Sequence, residues 1–213
     1  MYKLIKILCL TCVFALTALA QTQTTDDYKK NEYYLGYSNQ QTDQGGYRSA
    51  NGFQGSYVRN LKRYMGIKAD FSAAFNKDTF EYTTTDPTTP GNPSYTVRQK
   101  SNNSTYNILG GVQFKNNASG ARFKPFGHAL VGVAVLRNKF NATCTSTFCP
   151  PLVTNYPNFT YTSKNLAFAV GGGLDIKIND KIDFRAIQVD YNPIWRGGGF
   201  WQKNFRIGAG IVF

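Results

Sequence analysis

The sequence predicts an all-β protein, an eight-stranded antiparallel up-and-down transmembrane β-barrel, and three observations carry that prediction. In the closing stretch, residues 203–213, Phe205, Ile207, Ala209, Ile211 and Phe213 share one parity, while Asn204, Arg206, Gly208 and Gly210 share the other. That period of two, sustained over about ten residues, suits a strand with one face toward hydrocarbon and the other toward a polar interior. Comparable alternation recurs in seven earlier segments, and the connections between them are longer after the first, third, fifth and seventh than after the second, fourth and sixth. Finally, no run of some 18 apolar residues follows the first twenty positions, so a transmembrane helix is not expected, although the chain is rich in Gly (20), Tyr (14) and Phe (16).

Residues 1–20 read as a cleavable signal peptide. Lys3 and Lys6 precede an apolar run from Ile7 to Ala20, which ends Ala18-Leu19-Ala20 before Gln21. A lipoprotein signal using Cys9 or Cys12 is the rival, but neither cysteine has the required small and apolar residues before it. The formal charge of +12 falls to +10 once Lys3 and Lys6 are removed. So basic a chain is drawn to anionic lipid head groups or other polyanions, but no basic helix or base-stacking motif points to nucleic acid. Residues 21–30 are a polar periplasmic lead-in, and residues 31–213 form one barrel domain.

Strand by strand, the alternation is read as follows. The first strand covers about 31–41, with Tyr33, Leu35 and Tyr37 against Glu32 and Tyr34. The second covers 51–60 and is followed by a tight turn at Asn60 to Arg63. The third gives the cleanest pattern, setting Met65, Ile67, Ala69, Phe71 and Phe75 opposite Gly66, Lys68, Asp70 and Ser72. Residues 76–103, rich in Thr, Pro and Asn, are expected to be a loop. The fourth strand sets Tyr106, Ile108 and Val112 against Asn107, Gln113 and Lys115, and the fifth, about 123–137, sets Val131, Val133 and Val135 against His128 and Leu130. Residues 138–163 are expected to be the second long loop. The sixth strand alternates Leu166, Phe168 and Val170 with Ala167, Ala169, Gly171 and Gly173 and continues to Asp175 and Lys177. The seventh covers about 181–192, a Gly- and Trp-rich loop spans 193–202, and the eighth closes the chain.

Placing the apolar parity on lipid sends Glu32, Lys68, Asp70, Gln113, Lys115, His128, Asp175, Lys177, Gln188, Asp190 and Arg206 into the lumen. Charges of both signs in a tube this narrow must pair, so the charged members are expected to form one network and fill the interior. Arg206 and Asp190 are close enough across the last hairpin to be partners, and Lys68 and Asp70 are expected to reach the second and fourth strands. Tyr33, Tyr37, Phe75, Tyr106, Phe114, Tyr191 and Phe213 are candidates for interfacial girdles. Cys144 and Cys149 are expected to close a small disulfide loop in an exported chain. No further ligands accompany them, so no metal is expected.

No G-x-S-x-G, H-E-x-x-H or P-loop pattern occurs, and His128 is expected to point inward rather than into an outer-wall hydrolytic site. The sequence therefore predicts neither an enzyme nor a cofactor.

The stretches Lys124-Pro-Phe-Gly-His-Ala-Leu-Val-Gly-Val-Ala134, Phe168-Ala-Val-Gly-Gly-Gly-Leu-Asp175 and Arg185-Ala-Ile-Gln-Val-Asp-Tyr191, with Asn51 to Ser56 and Gly66 to Ser72, resemble the barrel domain of OmpA-like and opacity-type outer-membrane proteins. The resemblance spans most of residues 31–213. It implies the outer membrane of a Gram-negative bacterium, both termini periplasmic, with outer-membrane lipid and the outer-membrane assembly machinery as partners. Phe205, Ile207, Ala209, Ile211 and Phe213 match the C-terminal assembly signal. A peptidoglycan-binding domain after the barrel is not expected, and the resemblance transfers no enzymatic residues.

Two functions follow as expectations. One is a structural or surface-interaction role, with loops 76–103 and 138–163 contacting an extracellular ligand. The alternative is a narrow porin-like channel for small solutes or ions. A soluble lipocalin-like barrel fits poorly, because its apolar face would be inward. The signal reading predicts that the exported protein has the intact mass of a chain beginning at Gln21; the mass of the full chain, or of one lipidated at cysteine, would contradict it.

Overall fold

A computed structural model describes residues 28–43, 48–118, 120–150 and 158–213. The signal peptide and most of the lead-in lie outside the described residues. The chain forms β1 (Asn31–Thr42), β2 (Arg48–Lys62), β3 (Met65–Thr85), β4 (Ser94–Lys115), β5 (Phe123–Cys144), β6 (Phe159–Lys177), β7 (Asp183–Tyr191), β8 (Ile194–Trp195), β9 (Trp201–Gln202) and β10 (Asn204–Val212). Eight of these close a ring, each antiparallel to its neighbours in the order β5-β4-β3-β2-β1-β10-β7-β6, with β5 pairing back on β6. The two-residue strands β8 and β9 are a hairpin inside the final connection, joined to β6 through Ala167 and Ile194.

The first and last long strands seal the ring, from Tyr34 opposite Val212 to Thr42 opposite Asn204. Tyr33 and Phe213 also exchange both backbone hydrogen bonds, at 2.8 and 2.9 Å. Outward residues form an apolar belt that includes Leu35, Ile67, Phe71, Ile108, Val131, Val170, Ile207 and Ile211, all exposed. Rings gather toward its two edges. Tyr33 lies near Tyr57 and Phe213 at the terminal end, whereas Phe75 meets Tyr106 edge-on at 5.9 Å toward the other.

Inside the wall, glycine permits close approach where it faces Tyr34. A Cβ at Gly36 or Gly210 would collide with the Tyr34 side chain and with carbonyl oxygens of the opposite strand. The ring lies over this paired glycine patch, because the patch leaves room along the strand for a large inward aromatic.

Over their described residues, the two expected loops are largely β-structure. β3 and β4 remain in register through every pair from Phe75 with Ser104 out to Thr85 with Ser94. β5 stays paired with β4 as far as Cys144 opposite Val97, and with β6 as far as Phe140 opposite Phe159. Residues 76–85, 94–103, 138–144 and 159–163 thus form a raised blade at the end opposite the termini. At about 3.3 Å per residue, β3 runs roughly 30 Å beyond Phe75. Cross-strand backbone bonds hold these polar segments extended even though neither face is covered by a core. The connection proper is 86–93, where Gly91 and Asn92 take left-handed backbone angles of 87° and 46° in φ. The Cys144–Cys149 disulfide sits at the end of β5, and there the Thr145 N–H donates to the Thr96 carbonyl at 3.0 Å.

Asp86 organises the blade tip. Its carboxylate accepts from the Thr88 hydroxyl at 2.6 Å, the Thr88 N–H at 2.9 Å and the Thr89 hydroxyl at 2.7 Å. These bonds, the Thr88 hydroxyl foremost, hold its carboxyl below the usual carboxylate range. A depressed pKa contributes stability at neutral pH that is lost as pH falls through the folded value. Asp86→Ala is expected to speed amide exchange at 83–97 at neutral pH while leaving the barrel strands unchanged. The difference should vanish in acid, and equal exchange at pH 7 would contradict this.

A buried charge network as the candidate functional site

Strand pleating and small neighbours place the inward side chains. Even-numbered residues of β1, β2, β3 and β5 and odd-numbered residues of β4 point into the barrel, so Glu32, Lys68, Asp70, Lys115, Lys124 and His128 are buried. On β6 the glycines stand where inward groups need space: a Cβ at Gly171 would strike Asp190, and one at Gly173 would crowd the Phe126 ring.

At mid-barrel, Arg206 donates to Asp190 Oδ2 through Nη2 at 2.6 Å and Nε at 3.0 Å, and to Ser72 Oγ through Nη1 at 2.7 Å. The same Nη1 lies 3.1 Å from Asp70 across the lumen. Asp70 also accepts from Gln54 at 2.6 Å and sits 3.6 Å from Lys68. Lys68 Nζ lies 3.4 Å from His128 Nδ1, and His128 Nε2 lies 3.0 Å from Asp190. A second centre lies toward the terminal end. Arg185 grips Asp175 with Nε at 2.8 Å and Nη2 at 3.0 Å and donates to Gln188 at 2.8 Å. Its guanidinium is sandwiched between the Tyr34 and Phe126 rings, 4.2 and 4.0 Å from their centroids. Lys115 bridges Asp175 at 2.8 Å and Glu32 at 2.6 Å, and Lys124 pairs with Asp183 at 2.9 Å. Gln188 donates to Asp190 at 2.7 Å, linking the two centres.

The cations Lys68, Lys115, Lys124, Arg185 and Arg206 therefore meet the carboxylates Glu32, Asp70, Asp175, Asp183 and Asp190, sign for sign. Cavities remain above and below. One of about 470 Å³ at the blade end is lined by Gln40, Asn76, Asn103, Asn138, Phe140 and Arg196 among others. The other, of about 400 Å³ at the terminal end, is lined by Tyr28, Lys29, Glu32, Lys115, Lys124 and Asp183 among others. Between them many of the polar groups are joined by direct bonds, and an apolar cluster of Leu109, Leu130, Ala134, Leu136, Ala167, Ala169 and Ile194 lies on the side nearer the blade.

Eight of the nine charged residues expected in the lumen, Glu32, Lys68, Asp70, Lys115, His128, Asp175, Asp190 and Arg206, are brought together in this network. Lys177 is placed elsewhere: it lies at the rim and pairs with Asp180 of the following turn at 2.7 Å. Asp70 meets the second strand as expected, but Lys68 and Asp70 also find partners outside the second and fourth strands. Asp70 reaches Gln54 on β2 and Arg206 on β10, and Lys68 reaches His128 on β5. Lys124 carries the inward parity of its strand yet lies outside the expected set, and Asp183, also outside it, has the parity opposite to Gln188 and Asp190. Arg185 has the wrong parity for its strand. A bulge at Ala186 places Arg185 opposite Asp175 and Ile187 opposite Leu174, which returns Arg185 and Gln188 to the same face. Phe205, Ile207, Ile211 and Phe213 lie on the outer wall, each about half exposed.

A family model described as outer membrane protein beta-barrel domain matches residues 8–213. Among solved structures, the attachment invasion locus protein Ail of Yersinia pestis, determined with the heparin analogue sucrose octasulfate, shares 15% identity over 87% of this chain and 100% of its own, with a TM-score of 0.53. OprG of Pseudomonas aeruginosa shares 13% over 87% and 95%, with a TM-score of 0.43. Neisserial surface protein A shares 10% over 88% and 98%, with a TM-score of 0.41. A search among curated proteins finds no match.

Removing one partner of such a network leaves an opposite charge buried and unpaired. Arg206→Met is expected to lower unfolding stability in lipid by about 3–5 kcal/mol. The double variant Arg206→Met/Asp190→Asn should recover part of that loss. Urea titrations of the refolded barrel measure both, and additive losses would contradict the coupling.

Proposed function

The chain belongs to the outer membrane protein β-barrel domain family, and on that premise we propose a surface-interaction protein whose lumen is closed and whose blade, built on β3 to β6, meets an extracellular partner. A protein of this family lies in the outer membrane of a Gram-negative bacterium. The single observation that carries the proposal is the continuous pairing of β3 with β4 beyond the girdle. That pairing gives a polar, threonine-rich surface a fixed shape at a distance from the membrane. Both termini are placed in the periplasm, as the even strand number and the short connections at that end support. The mature chain begins at Gln21, and the half-exposed face of β10 serves as the assembly signal.

Exposed rings reinforce the reading. Phe80 and Tyr82 stand together on the blade with centroids 5.9 Å apart, and the exposed Phe159 stacks on the half-buried Phe140 at 5.1 Å. Aromatic groups on a rigid polar scaffold are suited to recognition, since little side-chain freedom is lost on binding. No catalytic role is proposed for any residue.

The channel alternative meets the interlocked mid-barrel ion pairs. Conduction would require Arg206, Asp190, Asp70 and Lys68 to separate in a narrow interior, leaving charges without partners.

The test removes residues 79–100 and joins Asp78 to Ser101 through Asn-Gly, a two-residue hairpin turn. The barrel is expected to fold and insert as before. Cells carrying it should lose retention on an array of glycans and matrix proteins that holds cells with the full chain. Trypsin added to intact cells should cut the full chain within 77–100. Unchanged retention would contradict the blade's role, and protection from trypsin would contradict the orientation.

A further inference from the structure

The buried network consumes carboxylates evenly with cations, so the chain's excess positive charge lies outside the lumen. Part of it is concentrated on one wall. Lys77 of β3 and Arg137 and Lys139 of β5 line a groove of about 310 Å³ together with Asn102, Ser104 and Tyr106 of β4. Register explains the cluster: Lys77 is opposite Asn102, which is opposite Lys139, and Ser104 is opposite Arg137. Lys164 of β6 is opposite Val135, one outward step from Arg137. All four cations share the outward parity of the apolar belt. Further out on the same face, Lys100 adds another cation, and the one carboxylate of that parity among the described residues of the blade, Glu81, is already paired with Arg98.

Height on the barrel identifies the ligand. Tyr106 lines the groove and meets Phe75, while Phe71, Ile108, Val131 and Val133 continue the exposed apolar wall below. A groove immediately above that ring layer, opening sideways from a lipid-facing wall, is at the depth of lipid head groups. Its chemistry is that of a phosphate cradle. Lys77 and Lys139 supply mobile ammonium charges, Arg137 supplies a planar fork, and Asn102, Ser104 and Tyr106 supply uncharged donors. We propose that Lys77, Arg137 and Lys139 hold the phosphate of an outer-leaflet glycolipid against the outer wall of the barrel. The site goes beyond partner recognition by the blade. It uses the orientation proposed above only to name the leaflet, which the trypsin experiment tests separately.

The mature chain in neutral-detergent micelles is titrated with bis-phosphorylated lipid A, with the same lipid stripped of phosphate, and with inositol hexaphosphate as a soluble polyanion. Native mass spectrometry counts the bound species. The wild type should retain phosphorylated lipid A in preference to both competitors. Near an anionic lipid surface each Lys or Arg contributes roughly a fivefold factor, so Lys77→Gln/Arg137→Gln/Lys139→Gln should bind about a hundredfold more weakly. Lys139→Gln alone should lose roughly fivefold, which keeps the test open if the triple variant fails to fold. Lys62→Gln/Lys181→Gln, at the opposite end, should bind as the wild type does. Retention of lipid A by the triple variant, equal loss in the control, or tighter binding of inositol hexaphosphate than of lipid A would each overturn the site.

Discussion

The constraint on which the rest of the structure depends is charge neutrality inside a narrow tube. Eight strands leave an interior that side chains can fill. Once Arg206 and Arg185 point inward they must be met by carboxylates and by amides and hydroxyls that satisfy their remaining donors. Asp190, Asp70 and Asp175 do so from three different strands, Ser72 and Gln188 accept from the arginines, and Gln54 donates to Asp70. Several of these bonds cross the lumen or a strand pair, so the network fixes register as well as filling space. A one-residue slip of β10 would send Arg206 into lipid and Ile207 into the lumen.

This interior shapes the exterior. Carboxylates gathered within leave the outer wall above the ring layer dominated by Lys77, Arg137, Lys139 and Lys164. Meanwhile the strands on that side do not stop at the membrane edge. β3 to β6 continue as a hydrogen-bonded blade, whereas β1, β2, β7 and β10 end near the rim. In the proposed reading the two halves of the molecule divide the work: the buried core closes the tube, and the raised wall carries recognition. The β8 and β9 hairpin supports that division by seating Ile194 against Ala167 at the blade end of the lumen.

Much of the barrel was legible in the sequence because a lipid-facing strand must alternate, and Met65 to Phe75 or Asn204 to Phe213 do so without interruption. The same parity located Glu32, Lys68, Asp70, Lys115, His128, Asp175, Asp190 and Arg206. Legibility failed where the physical signal changed. Beyond Phe75 neither face of β3 touches hydrocarbon, so Phe80 and Tyr82 stand among Lys77, Asp78, Glu81 and threonines, and the segment reads as loop. The strand persists there because backbone pairing needs no amphipathic pattern. Arg185 was hidden by the bulge at Ala186, which shifts parity by one residue within a strand. Lys177 has the inward parity, but the turn at Asn179 to Lys181 begins close enough for Asp180 to draw it to the rim. Lys124 carried a usable signal, since the parity of His128 extends back to it, whereas Asp183, two residues before Arg185, was hidden by the same bulge.

The central claim is that the interlocked charges close the lumen and confine function to the outer surface. Single-channel recording of the refolded mature barrel in a planar bilayer tests it most directly, with Arg206→Glu recorded alongside. The account predicts no steady current from the folded wild type, because Arg206 is held to both Asp190 and Asp70 across the lumen. A reproducible wild-type conductance altered by the charge reversal would contradict it and make the lumen itself the functional site.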